Sequence, residues 1–160
     1  MKRTALSVFV IAMTAQAASA DTAAGQRALA LAALVGVKSP LVSGQDKHAL
    51  VRLFEGSPDI AFPAGRKVAV AADAIVCRAS NVDITSRSCT LTFGARTVTL
   101  KGRQAHELFA TIAEVGVPED GAAGSVFEGL SKLDCTIDPA EIKQKAGGGA
   151  NCTFNPGAAR

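Results

Sequence analysis

Four cysteines constrain this chain more than any other feature. They stand at positions 77, 89, 135 and 152. No two have the Cys-x-x-Cys spacing of a zinc knuckle or a thioredoxin-type motif, so we predict neither a metal site nor a cofactor. An even count in an exported chain favours two disulfides. Of three possible connectivities we favour Cys77–Cys89 and Cys135–Cys152, because each closes a loop of fewer than about twenty residues, worth about 3 kcal/mol by chain entropy.

The first twenty residues have the three parts of a secretory signal peptide. Lys2 and Arg3 are basic, residues 5–15 are apolar, and residues 18–20 (Ala-Ser-Ala) suit a signal peptidase. An uncleaved anchor or a buried helix is the alternative, but about 11 apolar residues are too few for a bilayer core of about 30 Å. We therefore predict a cleaved leader over residues 1–20, bacterial in style. The mature protein is expected to be periplasmic or extracellular, with no membrane span.

Cleavage changes the charge of the protein. Removing Lys2 and Arg3 from the 17 basic residues leaves 15 against 14 acidic ones, a net charge of +1. The mature chain also has no Trp or Tyr on which bases could stack. A nearly neutral chain without such aromatic platforms is poorly suited to a phosphate backbone, so we predict no nucleic-acid partner.

The composition predicts a helical segment over residues 21–57. Residues 23–35 are rich in Ala and Leu, which have high helix propensity. In a second helix, Ser43 and Asp46 are spaced as a capping box and Gly56 provides the stop. The predicted apolar face of this second helix comprises Ala49, Leu50, Leu53 and Phe54, and its wet face comprises His48, Arg52 and Glu55.

Alternating apolar residues predict three antiparallel strands after a connector at 57–65 that is rich in proline and glycine. The first strand covers residues 68–77, with a bulge near Asp73 that shifts the apolar phase. A hairpin follows, in which residues 89–93 and 97–100 flank a turn at Gly94. Its apolar side chains would face the core, and its threonines would line the other face.

The last third of the chain is predicted to mix helices and short strands. The clearest helix covers residues 104–115 and ends at 116–118, and a second covers 122–130. A strand over 133–137 precedes Asp138 and Pro139, an N-cap and a first-position proline for a helix ending at Gly147. A final strand is expected at 152–154, before a loose tail at 156–160.

Together these elements predict an α+β fold. A small antiparallel sheet, the three-strand run plus one or two closing strands, would pack against helices and carry two disulfides. Residues 21–57 would form a helical N-terminal segment, and residues 58–155 the braced core of the same single domain. A partial barrel is the alternative arrangement.

Few residues could support catalysis. His48 and His106 are the only imidazoles, so a hydrolase would need one of them. The chain has no Gly-x-Ser-x-Gly elbow, its paired acids lack the spacing of a calcium loop, and its glycine triplet lacks the Lys-Ser/Thr of a phosphate loop. We therefore assign no catalytic residue and expect a binding protein rather than an enzyme.

Charge is distributed unevenly along the chain. Residues 78–103 carry five cations against Asp83, a net charge of +4, whereas residues 104–141 carry eight acids against Lys132, a net charge of −7. We favour the simpler interpretations, that the acidic helices neutralise the hairpin and that its threonines only stabilise a wet sheet face. The competing hypothesis is that the basic hairpin meets an anionic partner by charge steering. The candidate binding residues are Arg78, Arg87, Arg96, Lys101, Arg103, Thr90, Thr92, Thr97 and Thr99.

These observations favour an exported, non-catalytic binding module, inhibitor-like or accessory to the cell envelope. It would act through its hairpin face or loops on an anionic envelope component or another protein. A small secreted hydrolase and a structural or stress-protective envelope protein are the alternatives.

Overall fold

The computed structural model describes residues 21–57, 66–78, 86–115, 126–144 and 148–156. The predicted leader, residues 58–65 of the connector, the helix end at 116–118 and residues 157–160 of the tail lie outside these ranges, while Pro156, predicted in the tail, ends the last strand. The strands are β1 (Asp21–Ala24), β2 (Val68–Arg78), β3 (Ser88–Phe93), β4 (Arg96–Lys101), β5 (Val126–Ile137) and β6 (Ala150–Pro156). The helices are α1 (Gln26–Gly36), α2 (Gly44–Phe54), α3 (Gly102–Glu114) and α4 (Pro139–Gln144).

The strands form one antiparallel sheet in the order β1-β6-β5-β2-β3-β4. On one face, α1 packs against β1, β6, β5 and β2, α3 packs against β3 and β4, and α2 packs against α1. Alternate strand residues on the opposite face are exposed or half-buried. This is the α+β fold that the sequence predicted. With β1 and β4 at its two edges, the described sheet does not close on itself.

Both disulfides have the favoured connectivity. Cys77 bonds to Cys89 and Cys135 bonds to Cys152, and the partners stand directly opposite each other on neighbouring strands. All four side chains are buried on the helix-covered face. Each bridge therefore ties a strand pair together from the core side, beside fully buried residues such as Leu91.

The burial pattern of β2 changes phase where the sequence predicted it. Ala72 and Ile75 are both buried, although an unbroken alternation would bury residues two apart. The paired strand β5 changes phase at the same level, where Leu133 and Leu130 are buried and Lys132 between them has a φ of 55°. Because both strands change phase together, large apolar side chains stay on the core face and β2 and β5 remain in register to Ile75 and Leu130, beyond which the register shifts between Ile75 and Val76.

Ser43 caps α2 as predicted, and Asp46 accepts from its hydroxyl rather than from its backbone N–H. Ser43 Oγ accepts a hydrogen bond from Asp46 N at 3.1 Å and donates one to Asp46 Oδ2 at 2.6 Å. Asp46 is only 3% exposed, and Arg66 pairs with its carboxylate, so the buried charge is compensated. The wet face of α2 is also as predicted. Phe54 departs from the prediction, because it is 47% exposed at the end of the helix instead of lying in the core.

Two predicted helices contain strand residues. Residues 21–24, placed in a helical segment, form β1, since their backbone pairs with β6 and Gly25 at φ 65° breaks the chain direction before α1. Residues 126–130, placed in a helix, belong to β5 and pair with β2. Helical spacing in short apolar runs does not exclude strands, and pairing between distant segments decides such cases. Residues 122–125 lie outside the described ranges.

The remaining elements agree with the sequence within a few residues at their ends. The hairpin is β3–β4, the clearest helix is α3, and the final strand is β6. Asp138 caps α4 through bonds from Ala140 N and Glu141 N to its Oδ1. The predicted end of that helix at Gly147 falls outside the described residues.

Candidate binding face

The hairpin threonines lie on the sheet face opposite the helices. Cys89, Leu91 and Phe93 of β3 point into the core, so the alternate residues of β3 point away from it. Thr90 stands opposite Thr99 and Thr92 opposite Thr97 in the β3–β4 ladder. The Thr90 and Thr99 hydroxyl oxygens are 3.4 Å apart. The four side chains therefore form two cross-strand pairs on the open side of the hairpin.

Two of the predicted cations extend this surface across three strands. Arg78 stands opposite Ser88, and Ser88 stands opposite Lys101. Neighbouring strands lie about 4.8 Å apart, so the Cα atoms of Arg78 and Lys101 are about 10 Å apart with the serine hydroxyl between them. Both cations are exposed, and in the described part of the chain neither makes an ion pair. We call Arg78, Ser88, Lys101 and the four threonines the hairpin face.

The other three predicted cations occupy different positions. Arg96 is exposed at the hairpin turn, in register with Phe93 and thus on the helix side of the sheet. Arg103 pairs with Glu107 at 3.1 Å one helical turn away, with its side chain 91% exposed. Arg87 is half-buried, with its guanidinium 5.0 Å from the ring centre of Phe109.

Arg87 is engaged within the protein by α3. Its Nη1 contacts Nδ1 of His106, and its backbone oxygen accepts a hydrogen bond from Gly102 N. Because a guanidinium only donates, His106 Nδ1 accepts in this contact. The Nε of Arg87 is buried and has no hydrogen-bond partner among the described residues. Arg87 therefore connects the start of β3 to the first two turns of α3.

Internal neutralisation of the hairpin is limited. Among described residues the ion pairs are Arg66–Asp46, Lys67–Asp138 and Arg103–Glu107. Only the last joins the basic stretch to the acidic one, and it lies within a single helix. An exposed pair of this kind is worth about 0.3 to 0.5 kcal/mol. Within the described ranges, the acidic segments thus leave Arg78, Arg96 and Lys101 unpaired.

The histidines stand apart from each other. His48 is exposed on α2, and His106 is in contact with a cation rather than with a carboxylate. Neither lines either of two cavities bounded by described residues. Among all the residues that the structure describes, no group of three His, Cys, Asp or Glu side chains is arranged to hold a metal.

One of these cavities lies between helices, and the sequence did not predict it. It measures about 330 Å³ and is bounded by α1, α2, the end of β4 and the first turns of α3. Leu34, Val37, Val51 and the exposed Phe54 form part of its wall. The other measures about 420 Å³ beside β1 and the start of α1. The only sequence signal for the cavity between the helices was the apolar spacing that placed Phe54 on a buried face.

Ser88 is the member of the hairpin face that sequence analysis missed. It shares the alternation of Thr90 and Thr92, which is the signal that could have identified it. Asp73 was noted only for the bulge, yet its Oδ2 accepts a hydrogen bond from Gly94 N in the hairpin turn. The part of β2 where the burial pattern changes phase therefore holds the tip of the hairpin.

Comparisons with protein-family models, with curated proteins and with solved structures each return no match to this chain. None of the described helices is both long and apolar enough to cross a membrane. The interpretation of the hairpin face therefore depends on its own geometry and chemistry.

Proposed function

We propose that this protein is an exported, non-catalytic binding module that engages an anionic partner through its hairpin face. The observation that carries the proposal is the row Arg78–Ser88–Lys101, in which two exposed cations without an ion pair among the described residues flank a hydroxyl on the open side of the sheet. The adjoining threonine pairs add further hydroxyl donors. Carboxylate, sulfate and phosphate groups all accept charge-assisted hydrogen bonds from such a surface.

The rigidity of the hairpin supports a binding role. The Cys77–Cys89 bridge lies directly behind the hairpin face, and Asp73 holds the turn. Threonine is branched at Cβ and has few rotamers to lose when it is immobilised. A surface that is already ordered loses less conformational entropy on binding, so more of its contact energy becomes affinity.

Export is the second part of the proposal. Two disulfides are compatible with an oxidising compartment outside the cytosol. Cleavage after Ala20 would leave Asp21 as the first residue of β1, so every described element would survive processing. A periplasmic or extracellular location follows from the leader if it is cleaved there.

The alternative functions have less support. A hydrolase would need His48, which is exposed on a helix, or His106, whose Nδ1 is occupied by Arg87. A structural or stress-protective role does not explain why Arg78 and Lys101 are exposed and make no ion pair among the described residues.

A polyanion provides the test of the proposal. The protein is expressed with its leader and recovered from the exported fraction, where mass spectrometry is expected to find Asp21 first and no free thiol. Retention on immobilised heparin is then measured as the salt concentration needed for elution. We expect Arg78→Glu/Lys101→Glu to elute at clearly lower salt than the unsubstituted protein.

The matched control is Arg27→Glu/Arg52→Glu, which changes the net charge equally at two exposed helix residues. It is expected to elute close to the unsubstituted protein. Equal shifts for both variants would mean that only overall charge is sensed. Absence of retention at physiological ionic strength would exclude the anionic-partner proposal.

A further inference from the structure

The free edge of β4 points to a specific mode of recognition. We propose that β4 accepts an extended acidic segment of a partner protein as a seventh strand of the sheet. This inference rests on the proposed function and names the chemistry of its partner. Strand addition supplies affinity through backbone hydrogen bonds and selectivity through alternate side chains.

The register shows which backbone groups of β4 are free. The Cα atoms of Cys77 and Cys89 are 3.9 Å apart, which identifies a pair without mutual backbone hydrogen bonds. The backbone N–H and C=O of Cys89 must then point toward β4, and Leu100 is their partner. Gly102 and Arg87 lie two positions beyond Leu100 and Cys89, and the hydrogen bond from Gly102 N to Arg87 O fits the same alternation.

The outward groups of β4 therefore belong to Thr97, Thr99 and Lys101. Within the described structure, no backbone hydrogen bond joins them to another segment. Thr97, Val98 and Thr99 are all β-branched, and the outer strand continues for six residues. This is a template long enough for several new ladder hydrogen bonds.

Charge at the two ends of β4 selects the occupant. Arg96 and Lys101 are exposed and unpaired among the described residues, and they lie on opposite faces of the sheet because they are five positions apart. A segment with two acidic residues five positions apart would place one carboxylate near each cation. The acid near Lys101 would also lie beside the Arg78–Ser88–Lys101 row.

A second copy of this chain offers no acidic residue to the same edge. The sequence of β4 contains the two cations Arg96 and Lys101 and no acid, so pairing two β4 strands would leave these cations of both copies without an opposite charge from the added strand. The opposite edge is also less suitable for an acidic segment, since β1 has four residues and begins with Asp21.

The experiment uses the oxidised full-length mature protein and a synthetic peptide, acetylated Glu-Thr-Val-Thr-Val-Glu amide. Binding is followed by NMR hydrogen exchange and titration. We expect protection of the Thr97, Thr99 and Lys101 amides, with those of β1 unchanged. Replacing both peptide glutamates with lysine, or N-methylating alternate peptide amides, is expected to weaken binding at least tenfold.

A protein variant tests the same edge. Thr99→Pro removes one outward N–H without removing a bond to β3, and edge strands tolerate proline at such positions. It is expected to abolish peptide binding while the Leu100 amide, which faces β3, keeps its protection from hydrogen exchange. If the N-methylated peptide binds as well as the parent, the contact is only electrostatic and strand addition is wrong, although the proposed function stands.

Two other outcomes are equally decisive. Protection of the same three amides that grows with protein concentration, without peptide, would identify a second copy as the occupant and overturn the proposal. Failure to bind either heparin or the peptide would remove the proposed function itself. The heparin measurement thus separates the two levels of inference.

Discussion

The sheet has two halves that are braced alike and expose different chemistry. The hairpin half consists of β2, β3 and β4, and the terminal half consists of β5, β6 and β1. Each has one disulfide between directly opposite residues on the helix-covered side. The open face of the hairpin half carries Arg78 and Lys101, which make no ion pair with any described residue, among its hydroxyls. The terminal half exposes Asp134, Thr136, Asn151 and Thr153 with Lys132.

The two halves are stabilised by similar means and differ in the side chains that they expose. Burial and disulfides are distributed over both halves, so both are expected to contribute to the free energy of unfolding. The exposed row of Arg78, Ser88 and Lys101 and the six-residue edge strand β4 belong to the hairpin half, whereas the terminal half ends in the four-residue edge strand β1. Substitutions in the core should therefore affect the halves similarly, while those on the open faces should distinguish them.

Removal of each disulfide gives the largest expected effect. Cys77→Ala/Cys89→Ala opens a link with a sequence separation of 12, and Cys135→Ala/Cys152→Ala opens one of 17. Loop entropy predicts a loss of about 3 kcal/mol in unfolding free energy for each, with a difference of only about 0.3 kcal/mol. Urea unfolding measures both. Losses that differ by more than about 1.5 kcal/mol would show that the two halves are not equally braced.

Two glycines with positive φ give an intermediate contrast. A Cβ on Gly149, at φ +75°, would lie 2.5 Å from the backbone oxygen of Asp138, whereas a Cβ on Gly94, at φ +59°, would have no neighbour within 4 Å. The left-handed conformation alone costs alanine about 1 to 2 kcal/mol. We expect Gly94→Ala to lose about 1 kcal/mol and Gly149→Ala about 3 kcal/mol, because only the latter adds a backbone clash. Thermal unfolding with equal losses would contradict this contrast.

Two exposed aspartates give the smallest expected effect. Asp73→Ala removes the acceptor of Gly94 N, so a loss of about 1 kcal/mol is expected. Asp134→Ala, on the terminal half, removes a carboxylate with no described hydrogen bond or ion pair and should change stability by less than about 0.5 kcal/mol. Denaturant midpoints of the two variants provide the comparison. A loss at Asp134 as large as that at Asp73 would mean that the turn contact is not the cause.

Local patterns predicted much of the hairpin half. The alternation in β3 and β4, the turn at Gly94 and the phase shift beyond Asp73 are all visible within a few residues of sequence. The open-face threonines followed directly from the same alternation. Ser88 completes the cation row only because three strands are in register, which short-range spacing does not specify.

The secondary structure of the terminal half depends more on contacts between segments that are distant in sequence. Residues 126–130 have apolar spacing that suits a helix, but they pair with β2 about fifty residues earlier in the chain. Residues 21–24 become a strand because β6, near the other end of the chain, supplies its backbone partner. Neither pairing leaves a local signal, since the hydrogen bonds join segments far apart in sequence.

The sequence by itself determined the N-cap of α2, the hairpin and the α+β class, and it favoured the observed disulfide pairs among three possible connectivities, because each follows from local caps, side-chain alternation or short loops. The tertiary structure alone decided that Arg87 is held by α3, that Phe54 is exposed, and that Arg78 and Lys101 share one row with Ser88. These features depend on which strands and helices become neighbours, and that choice is made by burial of the whole core.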